Sequence, residues 1–180
     1  MIWVNDSRNL NRDNIVDDLS DDEALSRAAE GDRDAFGLLY ERYVTRIYNY
    51  IYYRTGNFHD AEDLTARVFY RAIQHIERYR VMGVPFSAWL YRIAHNLVAN
   101  WHRDNSRRQE VPLEDHVDLH VKTDPPEVAL VVSQEVENLL RSIRKLPAER
   151  QQLIILKFVE RLPNQEIAMI MGRSEGAIKS

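Results

Sequence analysis

Residues 86 to 108 most constrain the fold of this chain, because a single helical period divides them into two faces of different chemistry. At about 100° per residue, Phe86, Leu90, Ile93, Ala94, Leu97 and Trp101 fall on one apolar stripe. Arg92, Asn96, Asn100, Arg103 and Arg107 gather opposite, with Trp89 beside them. The apolar face needs other elements to bury it. The polar face carries planar cations, amides and an indole, which suit phosphates, base edges and an unstacked base. It is equally compatible with a solvated surface next to a packed Trp89.

With 180 residues, 44% of them hydrophobic, the chain has enough material for one good core or two small ones. It contains 0 cysteines, which excludes disulfides and thiolate metal sites. The opening residues Met1 to Arg8 hold neither an apolar core segment nor a cleavage site, and no stretch of the sequence approaches a membrane span. A cytoplasmic protein without membrane insertion is expected. The formal net charge of -4 hides strong segregation. Residues 1 to 34 carry -6, residues 35 to 108 carry +5, residues 109 to 126 carry -4 and residues 127 to 180 carry +1. A basic module thus lies between acidic segments. Of the whole chain's 24 cations 20 are arginine, whose rigid fork suits carboxylate, phosphate and guanine.

Helices account for the rest of the pattern, and no strand is expected. Ser20-Asp-Asp-Glu23 is a capping box, predicting a helix from Asp21 to about Glu30 before Gly31. Phe36, Leu39, Tyr40, Tyr43, Ile47, Tyr50, Ile51 and Arg54 recur at helical steps until Gly56, an aromatic stripe that reads as core. Asp60-Ala-Glu-Asp63 is expected to cap a third helix. Leu64, Val68, Phe69, Ala72, Ile76 and Tyr79 would be its buried face, with Asp63, Arg67, Arg71 and Gln74 outward. The run from Arg78 to Pro85 reads as a loop.

The expected organisation is an extension over residues 1 to 19, a helical domain over 20 to 108, an acidic extended linker over 109 to 126, and a second helical domain over 127 to 180. In the last, Val128, Val131, Val132, Val136, Leu139, Leu140 and Ile143 mark one helix. Leu146-Pro147 opens another through Gln151, Leu153, Ile154, Leu156 and Phe158, and Leu162-Pro163 a third. From Asn164 onward the spacing fits a helix-turn-helix. Ile167, Met171 and Ile178 point inward, Ala168 allows close approach, Gly172 makes the turn and Ser174 caps the second helix. An ordinary helical hairpin is the alternative. His116 and His120 stand four apart near Asp115 and Asp118, but Pro112 and Pro125 favour extended chain over an aligned metal site. No phosphate loop or nucleophile motif is present, so neither catalysis nor a cofactor or metal is expected.

Three motifs in order carry a resemblance: Asp60-Ala-Glu-Asp-Leu-Thr-Ala-Arg-Val-Phe-Tyr-Arg-Ala72, Phe86-Ser-Ala-Trp-Leu-Tyr-Arg-Ile-Ala-His-Asn96, and Leu146-Pro-Ala-Glu-Arg150 followed by the helix-turn-helix. Together they resemble the bacterial RNA polymerase sigma factors of the extracytoplasmic-function class. The resemblance implies an all-helical, non-catalytic initiation subunit with two small domains. Its partners would be core polymerase, through clamp and flap, promoter DNA, and an anti-sigma protein.

By that likeness Asp60, Glu62, Asp63, Arg67 and Arg71 would meet the polymerase clamp. Three carboxylates in a first helical turn are also what the helix dipole favours. The loop from Arg80 to Pro85, with Trp89, Arg92, Asn96, Asn100, Arg103 and Arg107, would engage the minus-10 element. Arg173, Ser174, Glu175, Gly176 and Lys179 would face the minus-35 element. The acidic linker would run through the RNA channel as a strand mimic. The family continues past this point with a basic stretch, so a truncated recognition helix that reads minus-35 DNA poorly is the expectation. A helix-turn-helix regulator binding duplex DNA by itself, or a polymerase-binding decoy, are the competing classes.

Overall fold

The computed structural model describes residues 19–79, 83–110 and 134–179. Among them all regular structure is helical: α1 (Asp21–Ala29), α2 (Arg33–Thr55), α3 (Phe58–Tyr79), α4 (Phe86–Glu110), α5 (Gln134–Arg144), α6 (Ala148–Ile154), α7 (Asn164–Met171) and α8 (Glu175–Lys179). A π-helical turn, Ile155–Val159, continues α6.

Local chemistry sets the helix ends. The Ser20 hydroxyl accepts from the Glu23 amide while the Glu23 carboxylate accepts from the Ser20 amide at 2.9 Å, so two orphan donors of α1 are satisfied. Asp32 caps α2, accepting from the amides of Asp34 at 3.0 Å and Ala35 at 3.2 Å. Its hydrogen bond from Arg27, then those amides, hold the Asp32 carboxyl below the usual range. α2 ends at Gly56 in the left-handed conformation, φ 69°, where a side chain would be strained. The α3 cap differs from expectation. The helix begins at Phe58, and the Asn57 side chain accepts from the Asp60 amide at 3.1 Å. Asp60 therefore sits in the first turn rather than at the cap, because Asn57 already meets that need.

α1 to α4 form the first unit, with α2, α3 and α4 packed on one another and α1 across α2. Leu39, Ile47 and Ile51 of α2, Val68 and Ala72 of α3, and Leu90 and Ala94 of α4 are fully buried at 0% exposure. Burying each large aliphatic side chain stabilises by about 1.5–3 kcal/mol. Tyr40 departs from the expected stripe: it is exposed, its ring meeting Phe69 edge-on at 4.8 Å.

In the second unit Leu140 and Ile143 are buried as expected, but Val136 and Leu139 face outward. α5 meets the rest of the fold mainly at α2 and α6, so only a narrow stripe is covered. Phe158 is also exposed rather than core, because the π turn interrupts the regular period. Buried in its place is the polar Gln151, whose amide donates to the carbonyls of Arg144 at 2.9 Å and Leu146 at 2.8 Å. This ties α5 to α6.

The two units share one apolar core. α7 lies along α4, while α5 and the π turn lie on α2. Ile155, Leu156 and Ile167 join the cluster formed by the first unit. Glu160 accepts from the Tyr91 hydroxyl at 2.6 Å and from Arg46 Nε at 3.2 Å. Arg144 donates to the Tyr53 carbonyl at 3.5 Å, its guanidinium lying where a Cβ on Gly56 would approach to 3.0 Å. This packing was not expected from the sequence. α4 also runs two residues past the expected end of the first domain, to Glu110.

Candidate nucleic-acid interface

α3 and α4 cross so that an open cleft of about 350 Å³ lies between them, lined by Arg71, His75, Arg78, Tyr79, Trp89, Ile93 and Asn96. Arg71, His75 and Arg78 are spaced i, i+4 and i+7, which puts them along one helical line. Tyr79 and Trp89 stack, with ring centroids 4.5 Å apart and planes within 19°. Burial pushes the Tyr79 hydroxyl up to about 12, and it donates to the Val84 carbonyl, bridging the segment before α4.

Trp89, placed beside the polar face and compatible with either a free or a packed ring, is packed. It is only 9% exposed, because one side of its ring is spent on Tyr79 and Phe86 lies beside it. What remains of it lines the cleft. Arg92, Asn96, Arg103 and Arg107 are exposed on α4, and Asn100 is half-buried. Arg103 donates to the Asn100 side chain at 2.8 Å, so these two are held together. Arg80 lies outside the described residues, as do His116, His120 and the acidic segment.

Arg71 lines the cleft, about two turns further along α3 than Asp63. Asp60 is half-buried, and Glu62, Asp63 and Arg67 are exposed. Asp63 and Arg67 pair at 3.6 Å across one turn. Sequence reasoning missed two neighbours on this face, Tyr70, 61% exposed, and Ile73, 45% exposed. It missed His75 and Arg78 on the cleft as well, although the step from Arg71 gives both.

The helix-turn-helix geometry is present. Gly172 takes the left-handed conformation, φ 64°, and Ser174 Oγ accepts from the Ala177 amide at 3.3 Å. Ile167, Ala168 and Ile178 are buried. Ser174, Glu175, Gly176 and Lys179 are exposed, Lys179 pairing with Glu175 at 2.7 Å. Arg173 pairs with Glu149 at the start of α6. Among the described residues no group of three or more His, Cys, Asp or Glu is arranged to hold a metal, and no helix is long and apolar enough to cross a membrane.

The Sigma-70 region 2 family matches residues 39–108, and Sigma-70 region 4 matches residues 136–180. The chain is 33% identical over 167 residues to the ECF RNA polymerase sigma factor SigW of Bacillus subtilis, covering 87% of each protein. It belongs to the ECF sigma-70 family. The ECF RNA polymerase sigma factor BldN of Streptomyces coelicolor is 39% identical over 158 residues, of which this chain spans 60% of the length. In fold it is similar to CnrH, solved in complex with the cytosolic domain of CnrY, with a TM-score of 0.67, 21% identity and coverage of 88% of this chain and 87% of that one. The sigma factor RpoE of Bartonella quintana, solved with the anti-sigma factor NepR, gives a TM-score of 0.60 at 21% identity, covering 80% of this chain and 87% of that one.

Proposed function

We propose that this sigma factor is a non-catalytic initiation subunit that binds core RNA polymerase in the cytoplasm and directs it to a promoter. The α3–α4 cleft carries the reading. An aromatic floor of Tyr79 and Trp89, ringed by Arg71, Arg78 and Asn96, combines a surface for an unstacked base with donors for its flanking phosphates. Its volume falls in the range that small organic groups occupy. Arg92, Arg103 and Arg107 continue the cationic face along α4, so one strand of an opened minus-10 element has both a pocket and a track.

Ser174, Glu175, Gly176 and Lys179 present the second helix of the helix-turn-helix to the minus-35 element, and Arg173 joins them if its pair with Glu149 opens. Asp60, Glu62, Asp63 and Arg67, extended by Tyr70 and Ile73, form a mixed acidic and apolar face for the clamp. Leu139 and Phe158, exposed on the second unit, offer apolar contact to the flap. CnrH and RpoE were each solved with a regulatory partner, which supports an anti-sigma protein as a further partner here.

Run-off transcription with purified core polymerase tests the reading. Start sites that require both core and this chain are expected. Specific duplex binding that is unchanged when core is omitted would overturn it in favour of an independent regulator.

A further inference from the structure

Arg54 of α2 is 1% exposed and lies at the seam where the second unit meets the first. Its Nη1 donates to the Tyr50 hydroxyl at 2.9 Å and lies 3.1 Å from His95 Nδ1 of α4, while Cζ stands 5.5 Å from the centre of the Tyr50 ring. A hydroxyl, an imidazole nitrogen and an aromatic face carry no negative charge. No carboxylate among the described residues pairs with Arg54, since Glu160 is held by Tyr91 and Arg46, and Glu149 by Arg173.

The other side of the guanidinium is different. Arg54 Nε and Nη2 have no hydrogen-bond partner among the described residues, and neither has Nε2 of Gln152 in α6, itself 2% exposed. Nε–H and one Nη2–H of a guanidinium point the same way, along the edge that grips carboxylate and phosphate bidentately. The two orphaned nitrogens therefore make one complete fork. Gln152 adjoins it through Tyr50, whose hydroxyl accepts from Arg54 and faces the Gln152 amide. A buried cation is costly unless it is both hydrogen-bonded and neutralised. Water on the fork satisfies the donors but leaves the charge; an anion does both.

We propose that Arg54 and Gln152 form an internal anion-binding site, which takes one small monovalent anion of the chloride type on the Nε and Nη2 fork. A single positive charge calls for a single negative one. Enclosure narrows the choice further, because Tyr50 is 0% exposed beside the fork, so a ligand that enters must give up its water. Chloride and bromide lose little by this, whereas sulfate and phosphate lose much and bring a charge that Arg54 alone does not balance. With donors from α2 and α6, the anion is a structural ligand of the seam. The site goes beyond the promoter-binding reading and does not depend on it.

A ligand that binds only the folded chain stabilises it by mass action, so an anion at ten times its dissociation constant raises the ratio of folded to unfolded chain about elevenfold. Urea unfolding of the full chain is compared in sodium fluoride, chloride and bromide at equal ionic strength, and the chloride-35 NMR line width is read on the folded chain. General salt effects work through exclusion from the surface and favour the more strongly hydrated ion, so they run against the effect of the site. The expected result is a folded ratio about tenfold or more higher in saturating chloride or bromide than in fluoride, with a broadened chloride line. Gln152→Met should weaken both signals, and Arg54→Met, which keeps the bulk and removes the fork, should abolish them. Equal stability in the three salts without broadening would mean that the donors hold water only, and the site would be overturned. Broadening that is unchanged in both variants would assign the anion to surface arginines and overturn it as well. If circular dichroism shows that Arg54→Met does not fold, Gln152→Met decides, an unchanged response to chloride counting against the site.

Discussion

Arg54 Nη1 lies 3.1 Å from His95 Nδ1, and because a guanidinium only donates, His95 must be the acceptor. The imidazole is therefore neutral, with its proton on Nε2. Arg54 itself is 1% exposed. Burial first, and the Arg54 charge second, hold both His95 and His102 below the usual histidine range, with Glu149 opposing at His95. Protonating His95 would remove the hydrogen bond and set two cations side by side.

Stability should therefore fall on acidification. Below the unfolded-state value of about 6.5 the unfolded chain takes up protons that the native chain resists, so stability is full above that pH and declines beneath it. Each fully resisted proton contributes a slope of about 1.4 kcal/mol per pH unit. Urea unfolding of the parent and His95→Gln between pH 7.5 and 5 measures it. The variant keeps an acceptor without a titrating ring, and an unchanged slope would show that His95 carries none of the effect.

On the cleft, Arg78→Ala and Arg71→Ala should weaken promoter complexes and reduce the slope of log affinity against log salt by about 0.7 to 0.9 for each phosphate that is no longer neutralised. Arg92→Ala and Arg103→Ala should act alike. Filter binding with preformed holoenzyme from low to moderate salt gives the slope. Retained slopes in all four variants would return these arginines to ordinary solvated surface.

At the clamp face, Asp63→Arg and Tyr70→Ala should reduce affinity for core polymerase, Tyr70→Ala without altering charge. Asp63→Arg also removes the exposed pair with Arg67, about 0.3 to 0.5 kcal/mol of helix stability, so melting is measured in parallel. A drop in affinity without a matching drop in helix content assigns the face to binding.

Arg161 has φ 55°, a left-handed backbone conformation that a non-glycine side chain adopts at a cost. It follows Glu160 at the end of the π turn, where the Leu162 amide reaches back to the Leu156 carbonyl at 3.0 Å. Arg161→Gly should raise stability by up to about 1 kcal/mol, the relief of strain exceeding the added freedom of the unfolded chain. A lower melting temperature would show that the Arg161 side chain contributes more than its backbone costs.

Much of the first unit was legible from local signals: the Ser20 box and Gly56 mark helix ends, and Leu64, Val68 and Ala72 mark a face, while the Asp32 and Asn57 caps went unread. The sequence left open whether Trp89 packs, because a helical wheel gives direction but not what lies there, and Tyr79 arrives from a different helix. The seam was illegible for a similar reason. Glu160 is separated from Arg46 and Tyr91 by 114 and 69 residues, and nothing local distinguishes a carboxylate that will be buried from one that will be solvated. The π turn adds to this by turning Glu160 away from the direction a regular helix predicts.

The Arg144 guanidinium on the Tyr53 carbonyl gives the molecule a built-in gauge. The last turn of the 23-residue α2 has carbonyls with no partner inside the helix, and a cation borrowed from α5 covers one of them. Without Arg144 that turn loses its cover and frays first, although the cation belongs to the other unit. Amide exchange in the closing turn of α2, before Gly56, therefore reports whether Arg144, 91 residues beyond Tyr53 in the chain, is seated there, with no label needed.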